Sequence, residues 1–354
     1  MDVRADREIL AALFDALEDP ARAAALGDDP RVLVVARRHR LTPLLSVTCR
    51  ATLPPALAAA CRRDHVLTAA RNLALAAVAD ECAGALAAVG VEAAILKGLA
   101  YERTLYPRAG ARPTSDVDLL VRARDRRAAF DALDRLGFEP RAAAPGFDEP
   151  DYHEVAWNRG GVEIDLHLGL APHARCAIDY DDVWGEMRPL ELGEARVHAL
   201  APAHAIVFHG LHMAIDHFDV PALYLADLAR LCGDAGALDA ARTAARAWRC
   251  ERALTTSLAL AAAFQPTWAG PLALGPTPAR ATRVIARFGS VVPLPRPEQL
   301  RRKYEHFDTA WDALRYTRVQ GRRNAREVVE RQLRRRSARE RLGLGPRLAS
   351  PRGP

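Results

Sequence analysis

The spacing of hydrophobic positions along this chain changes period twice. Through residues 1–90, Ala and Leu dominate and charges recur three and four apart, as in Arg4–Ala16 and Arg71–Val89. That is the spacing of helices with an apolar face. Pro43, Pro54 and Pro55 punctuate this region. From Val91 the pattern shortens. Val91–Leu96 is a brief apolar run ending in Lys97-Gly98, which predicts a buried strand and a turn, and Leu99–Tyr106 predicts a helix stopped by Pro107. Residues 108–115 are rich in Gly, Pro, Thr and Ser and predict a loop. Asp116–Val121 predicts a second strand. Asp125–Leu136 predicts a helix with Ala129, Phe130, Leu133 and Leu136 on one side and Gly137 as its stop. Tyr152–Trp157 and Val162–Leu168 alternate, and Asn158-Arg159-Gly160-Gly161 joins them as a hairpin turn.

A further strand pair is expected at Glu186–Leu192 and Arg196–Ala199. Helical spacing returns from Ala201 to about Phe288, Pro293–Pro297 reads as a linker, and Arg301 to about Leu342 predicts helix before a Gly/Pro-rich end expected to be disordered. The order β-α-β-α-β-β indicates an α/β (α+β) core with a mixed sheet and helical flanks. The expected division is a helical segment at 1–90, the α/β core at 91–200, a helical domain at 201–290, and a linker with a basic tail at 291–354.

Composition narrows this picture. A chain of 354 residues, half of them hydrophobic, is long enough for about two domains with a sizeable core. The start lacks a charged n-region followed by an apolar h-region, so no secretory signal is expected. The longest uncharged stretch, Ala253–Ala279, is broken by Gln265, Thr267 and several prolines, and its continuous apolar part falls short of the about 20 residues that span a bilayer. It predicts a buried helix and a loop, with no membrane association. Cys49, Cys61, Cys82, Cys176, Cys232 and Cys250 are scattered without CxxC pairs, which fits a reduced, cytoplasmic protein without a zinc site or disulfide framework.

The charge is unevenly placed. Arg315–Pro354 holds thirteen arginines and three glutamates, a net of +10; the whole chain is +6, so residues 1–314 carry about −4. The tail is expected to be a solvated helix or a docking patch for an acidic or nucleic-acid partner. No aromatic residues interleave with its arginines as a base-stacking surface would require. Arginine outnumbers lysine 48 to 2, and the two lysines are Lys97 and Lys303. In so strong a bias, a retained lysine points to a need for a compact point charge.

Asp116 and Asp118 lie two apart on an expected strand, so both carboxylates point the same way. Like charges that close repel unless a cation neutralises them, and Mg²⁺ takes hard oxygen ligands from one or two carboxylates plus substrate phosphates. Asp165 lies on the second hairpin strand, sharing a face with Glu163 and His167. A hairpin returning beside the first strand brings it to the same point. Three carboxylates so gathered suit two metal ions about 3.5–4 Å apart, as in nucleotidyl transfer, with Asp165 as general base or metal bridge near the acceptor. Lys97-Gly98, between a strand and a helix start, suits a triphosphate: glycine admits the phosphate to the backbone, and helix N–H groups and the ammonium attract it. Arg112 offers a guanidinium fork for a phosphate.

Taken together, Leu96-Lys97-Gly98, then Arg112, then Asp116-Val117-Asp118-Leu119-Leu120-Val121, then His153, then Val162-Glu163-Ile164-Asp165-Leu166-His167, resemble the uncharacterised nucleotidyltransferase family of the polymerase-beta-like superfamily. The resemblance spans roughly residues 30–235, including the helical lead-in at Arg38–Leu45 and His204–Leu231 with its Asp227-Leu228-Ala229-Arg230. It implies a polymerase-beta-like nucleotidyltransferase core in which Asp116, Asp118 and Asp165 match the catalytic, metal-binding carboxylates. The wider superfamily has Gly-Ser before the DxD strand, whereas this chain has Lys97-Gly98, as its own family does.

His153 and His167 stand on neighbouring hairpin strands, where each can orient Asp165, touch the acceptor, or serve as a hydrogen-bonded structural histidine. His209 and His212 share a helix face without an HExxH pattern, so packing is expected rather than zinc catalysis. Asp227 is expected to cap or pair within the helical domain. GxxxxGK[ST], GxGxxG and GxSxG are absent, which removes P-loop, Rossmann and hydrolase readings. The expected activity is Mg²⁺-dependent transfer of a nucleoside monophosphate from a triphosphate such as ATP to a hydroxyl or phosphate of a small molecule, sugar, peptide or RNA end. Two alternatives are a toxin-like transferase that modifies RNA or protein through the basic tail, and a nucleotide-binding module without turnover. In the toxin-like case, replacing the tail arginines by glutamine should raise the acceptor KM and flatten its salt dependence; kinetics indifferent to their loss would exclude the tail as a docking element.

Overall fold

The structure, a computed structural model, describes residues 3–141, 152–265, 267, 276–289, 294–322 and 324. The chain opens with four helices: α1 (Val3–Glu18), α2 (Pro30–Arg38), α3 (Thr42–Thr48) and the 34-residue α4 (Pro55–Ala88). Local chemistry sets their starts. Asp29 accepts the Arg31 N–H at 2.8 Å while Pro30, lacking a donor, occupies the first turn of α2.

The α/β region follows as β1 (Ala93–Ile95), α5 (Lys97–Leu105), β2 (Val117–Val121), α6 (Arg126–Arg135), β3 (Glu139–Pro140), β4 (Glu154–Arg159), β5 (Val162–His167), α7 (Tyr180–Gly185), β6 (Arg188–Leu190) and β7 (Val197–Ala199). The strands form one mixed sheet in the order β3-β4-β5-β2-β1-β7-β6. β2 runs parallel to β5 and β1 parallel to β7, and the remaining pairs are antiparallel. The hairpin β4–β5 closes with Arg159 opposite Val162, which leaves Gly160 and Gly161 as the turn. β3, a two-residue edge strand beside β4, is too short to leave a period in the sequence.

Alternation decides what each sheet face meets. Val117, Leu119 and Val121 of β2 and Ile164 and Leu166 of β5 join Ala79, Leu86, Phe130 and Leu133 of α4 and α6 in one apolar core. On the other face, Ala94 of β1 and Leu120 of β2 join a second core. That core is built with α8 (Pro202–Ile215), α9 (Leu223–Leu231), α10 (Ala235–Ala247) and α11 (Glu251–Phe264). Leu10, Phe14, Val35 and Leu45 of the first helices belong to it too, so helices from both ends of the chain share one interior. α4 touches both cores, through Leu57 and Cys61 near its start and Leu75 to Leu86 near its end. The predicted helix from Arg301 is observed as α13 (Arg296–Glu305), after α12 (Ala279–Arg287), followed by a helical stretch at 310–322. The rest of the expected tail helix and the Gly/Pro-rich end fall outside the described residues. All six cysteines are free. No helix among the described residues is long and apolar enough to cross a membrane.

Three buried histidines fasten the helical core. The Ala222 N–H donates to Nδ1 of His39 at 3.2 Å. His209 Nε2 donates to the Tyr224 carbonyl at 2.9 Å, and His306 Nδ1 to the Arg302 carbonyl at 2.5 Å. Burial disfavours the charged ring, so all three are pushed down to about 4. Below pH 6.5 the unfolded chain takes up protons that these folded rings refuse until about pH 4. Their contribution is therefore complete above pH 6.5 and is lost as pH falls towards 4, by about 1.4 kcal/mol per pH unit for each ring. Urea unfolding between pH 7 and 4 should show this loss superimposed on the titration of the other buried groups. His209→Gln, which keeps a donor but does not titrate, should remove one ring's share.

Candidate active site

Strand pairing assembles the site. Asp118 of β2 stands opposite Asp165 of β5 in the parallel register, and strands so paired lie about 4.8 Å apart. Asp116 sits just before β2, on the side of Asp118. β1 runs antiparallel to β2, with Ile95 opposite Leu119 and the Leu96 N–H donating to the Asp118 carbonyl at 2.9 Å. The end of β1 therefore meets the start of β2, and the Lys97-Gly98 bend lands on the carboxylates. Lys97 Nζ lies 2.9 Å from Asp118 Oδ1.

Asp118 is 2% exposed. Its Oδ1 also accepts from His167 Nε2 at 3.1 Å, while its buried Oδ2 has no hydrogen-bond partner among the described residues. Burial opposes ionisation here, but the Lys97 ammonium and the His167 bond outweigh it and hold Asp118 well below the usual carboxylate range. Its neighbours move the other way. Burial and the Asp118 charge raise Asp116 and push Asp165 up to about 6. Burial opposes protonation of His167, but the bond to Asp118 and the charges of Asp118 and Glu154 raise it. One member of the acidic row is thus firmly ionised, and the others are poised nearer neutrality.

The bend departs from helical geometry at Gly98, with φ 22° and ψ −104°. A Cβ there would stand 3.1 Å from Thr114 Cγ2 and 3.7 Å from Asp118 Oδ2, so glycine lets the backbone close on the unpartnered oxygen. Arg112, expected as a phosphate clamp, holds this bend instead of facing outward. Its guanidinium is 4% exposed and forks onto Asp227 of α9, which is fully buried, with Nε–Oδ1 at 3.0 Å and Nη2–Oδ2 at 2.8 Å. Its Nη1 donates to the Gly98 carbonyl at 3.3 Å and to Thr114 Oγ1 at 3.2 Å. The Tyr106 hydroxyl donates to Asp227 at 2.6 Å. Asp227 pairs, as its sequence context suggested, but with the α/β region rather than within its own helices.

The loop carrying Arg112 is held from beneath. Glu102 accepts from the Gly110 N–H at 2.6 Å and from Asn72 Nδ2 at 2.7 Å, and Asn72 also donates to the Arg112 carbonyl at 2.8 Å. Gly110, at φ 77°, passes so close to α4 that a Cβ would meet Ala69 Cβ at 2.6 Å. Asn72 and Glu102 went unread in the sequence because each lies inside a helical pattern that explains it as a surface residue.

The helical side supplies the facing wall. Lys97 exerts its charge on Tyr224, His212 and Asp216. The Tyr224 hydroxyl lies 3.4 Å from His212 Nε2, which is also 3.4 Å from Asp216 Oδ2. Burial and Lys97 keep His212 neutral, well below the ordinary histidine value. Of the two hairpin histidines, His167 is buried on Asp118, with Nδ1 3.6 Å from Glu154 Oε2. His153 Nε2 lies 3.5 Å from the same oxygen. Among the described residues, no three His, Cys, Asp or Glu side chains stand close enough to enclose an ion as arranged. Beside Asp118 stand the Lys97 ammonium and the His167 ring.

A model of the family described as uncharacterised nucleotidyltransferase matches residues 27–266, more than half of the chain. No curated protein sequence matches. Among solved structures, the antibiotic-resistance factor ANT(2'')-Ia aligns at 15% identity over 48% of this chain and 90% of its own, with a TM-score of 0.35. An antigenic nucleotidyltransferase-like protein from Paracoccidioides brasiliensis aligns at 17% identity over 59% of this chain and 96% of its own, with a TM-score of 0.36.

Removing one member of the Arg112–Asp227 pair leaves the other charge buried and uncompensated. Asp227→Ala should cost about 3–5 kcal/mol in urea unfolding. Arg112→Met with Asp227→Leu should recover much of that loss, because neither charge is then stranded.

Proposed function

The chain belongs to the uncharacterised nucleotidyltransferase family, and from the geometry of its acidic row we propose that it is a Mg²⁺-dependent enzyme. It would transfer a nucleoside monophosphate from a nucleoside triphosphate to a hydroxyl or phosphate acceptor. The observation that carries this reading is the register that sets Asp165 beside Asp118, with the Lys97-Gly98 bend closing on the pair.

The donor set suits a divalent cation. Asp118 Oδ2 is a buried carboxylate oxygen without a partner among the described residues, Asp165 stands opposite Asp118 in the strand register, and the three carboxylates act on one another by charge, offering hard oxygens. Asp116, Asp118 and Asp165 would hold Mg²⁺, which supplies charge neutralisation of the triphosphate and of the departing pyrophosphate. The remaining work falls to the chain. Gly98 admits phosphate oxygens to the backbone, and Lys97 passes from Asp118 to the triphosphate. Arg112, fixed by Asp227, is a positioning residue for the bend. His167 holds the Asp118 carboxylate in its orientation, while Asp165, opposite Asp118 in the strand register, is placed to take the acceptor's proton.

Labelled nucleoside triphosphates incubated with Mg²⁺ and pools of metabolites, RNA or protein should yield a labelled product and pyrophosphate. Asp116→Ala and Asp118→Ala should abolish both. Asp165→Asn should slow transfer by about 10²-fold or more while triphosphate binding persists. Transfer at the wild-type rate by Asp165→Asn would remove its role as base, and triphosphate binding unaffected by Lys97→Ala would remove the bend as the phosphate grip. At pH 6, Mn²⁺ binding followed by calorimetry in buffers of different ionisation enthalpy should release protons, and Asp165→Asn should suppress that release.

A further inference from the structure

A cleft of about 530 Å³, separate from the acidic row, opens at the C-terminal ends of β2 and β5. Val121 and Leu168 form its floor; Arg122, Arg124 and Arg126 line one side, and Arg315 of the helical stretch 310–322 lines another. Asp181 is the one carboxylate among its described lining residues. Arg122 is partly neutralised by Glu92 at 3.2 Å and lies over the Trp184 ring, 4.5 Å from its centroid. Arg126 and Arg315 pair with no carboxylate among the described residues. Arg315 donates to the Ala174 carbonyl at 3.4 Å, and its buried Nε has no acceptor among the described residues. A buried donor without a partner is costly, so an acceptor entering the cleft is favoured there.

The volume falls in the range of small-molecule sites, about 300–1,000 Å³. Residues 1–314 carry about −4 overall, whereas Arg315 opens the Arg315–Pro354 segment of net +10, so the cleft lies where an acidic body meets the basic tail. A concave hollow of this volume fits a compact anion, whereas a nucleic-acid strand needs a basic surface that extends beyond it. Guanidinium forks match phosphate oxygens, and the Trp184 and Tyr180 rings on the wall match a flat or apolar body.

The cleft is connected to the acidic row. His153 lines it, and His153 and His167 both approach Glu154 Oε2, at 3.5 and 3.6 Å, before His167 reaches Asp118. Along β2, Val121 lies three positions beyond Asp118, about 10 Å. We infer that this cleft binds a small phosphate-bearing molecule with a flat or apolar body, and that this molecule is the acceptor, its reacting hydroxyl about 10 Å from the anchored phosphate. The assignment as acceptor rests on the transferase reading above; the anion site does not. In the transfer, the acceptor oxygen bonds to the α-phosphorus and its proton goes to Asp165. The bond from that phosphorus to the bridging oxygen breaks, and pyrophosphate leaves with the electron pair.

Calorimetry on the full chain with phenyl phosphate, phenol and inorganic phosphate tests the site. Phenyl phosphate should bind more tightly than either of the others. Arg126→Gln combined with Arg315→Gln should weaken it at least tenfold, and Arg126→Gln alone should weaken it if the double variant is unstable. Binding of the triphosphate with Mg²⁺ should be unchanged in these variants. Equal affinity for phenol, or no effect of the substitutions, would overturn the anion site. Displacement of phenyl phosphate by a single-stranded RNA oligonucleotide that binds these arginines more tightly would overturn the small-molecule assignment. Phenyl phosphate binding at the arginines in a chain that binds no triphosphate would leave the anion site standing and overturn the acceptor assignment together with the transferase reading.

Discussion

Arg112 and Asp227 are removed from water together, and much of the site's geometry follows from how that burial is compensated. Each charge would lose several kcal/mol of hydration on its own. Here the guanidinium reaches both oxygens of Asp227, the Gly98 carbonyl and Thr114 Oγ1, while the Tyr106 hydroxyl gives Asp227 a further donor. The pair thereby joins three elements: the bend after β1, the loop before β2 and the helix α9. A change in the position of any one of them strands a buried charge. This makes the approach of Lys97 and Gly98 to the carboxylates a fixed feature of the fold rather than a property of a loose turn.

The acidic row is balanced in a related way. Asp118 is kept ionised by Lys97 and His167, and its charge in turn raises Asp116 and Asp165. One carboxylate that stays charged and two that protonate more readily make a site whose net charge answers to its surroundings. On the reading proposed above, an arriving cation or triphosphate would meet groups that can exchange partners without leaving buried charge exposed to apolar surroundings. The unpartnered oxygen of Asp118 is the point at which such an exchange costs least, since no existing hydrogen bond must break there.

The architecture leaves part of one sheet face open beside the carboxylates. α4 and α6 cover one face with a continuous apolar core. The other face is covered at Leu120 and Ala94 by a core shared between helices from both ends of the chain. Next to that contact lie the carboxylates, walled by Tyr224, His212 and Asp216. Past Leu120 the same strand leads into the arginine-lined cleft. The two hollows thus lie along one strand, with the His153–Glu154–His167 series between them.

Period and composition alone determined the mixed α/β core, the hairpin ending in Gly160-Gly161, and the shared direction of Asp116 and Asp118, because alternation is a local property of an extended backbone. They also marked Lys97, the exception in an arginine-biased chain, and the motif set by which the family was legible. Only the folded chain decided partners. Arg112 reads in sequence as a free phosphate fork, yet it meets Asp227, 115 residues away. His167 reads as a neighbour of Asp165, yet it bonds Asp118 on the adjacent strand. Asn72 and Glu102 look like surface positions on helices and are buried under the loop that carries Arg112. Period shows which way a side chain points from its own element, whereas its partner depends on which distant element packs against that face.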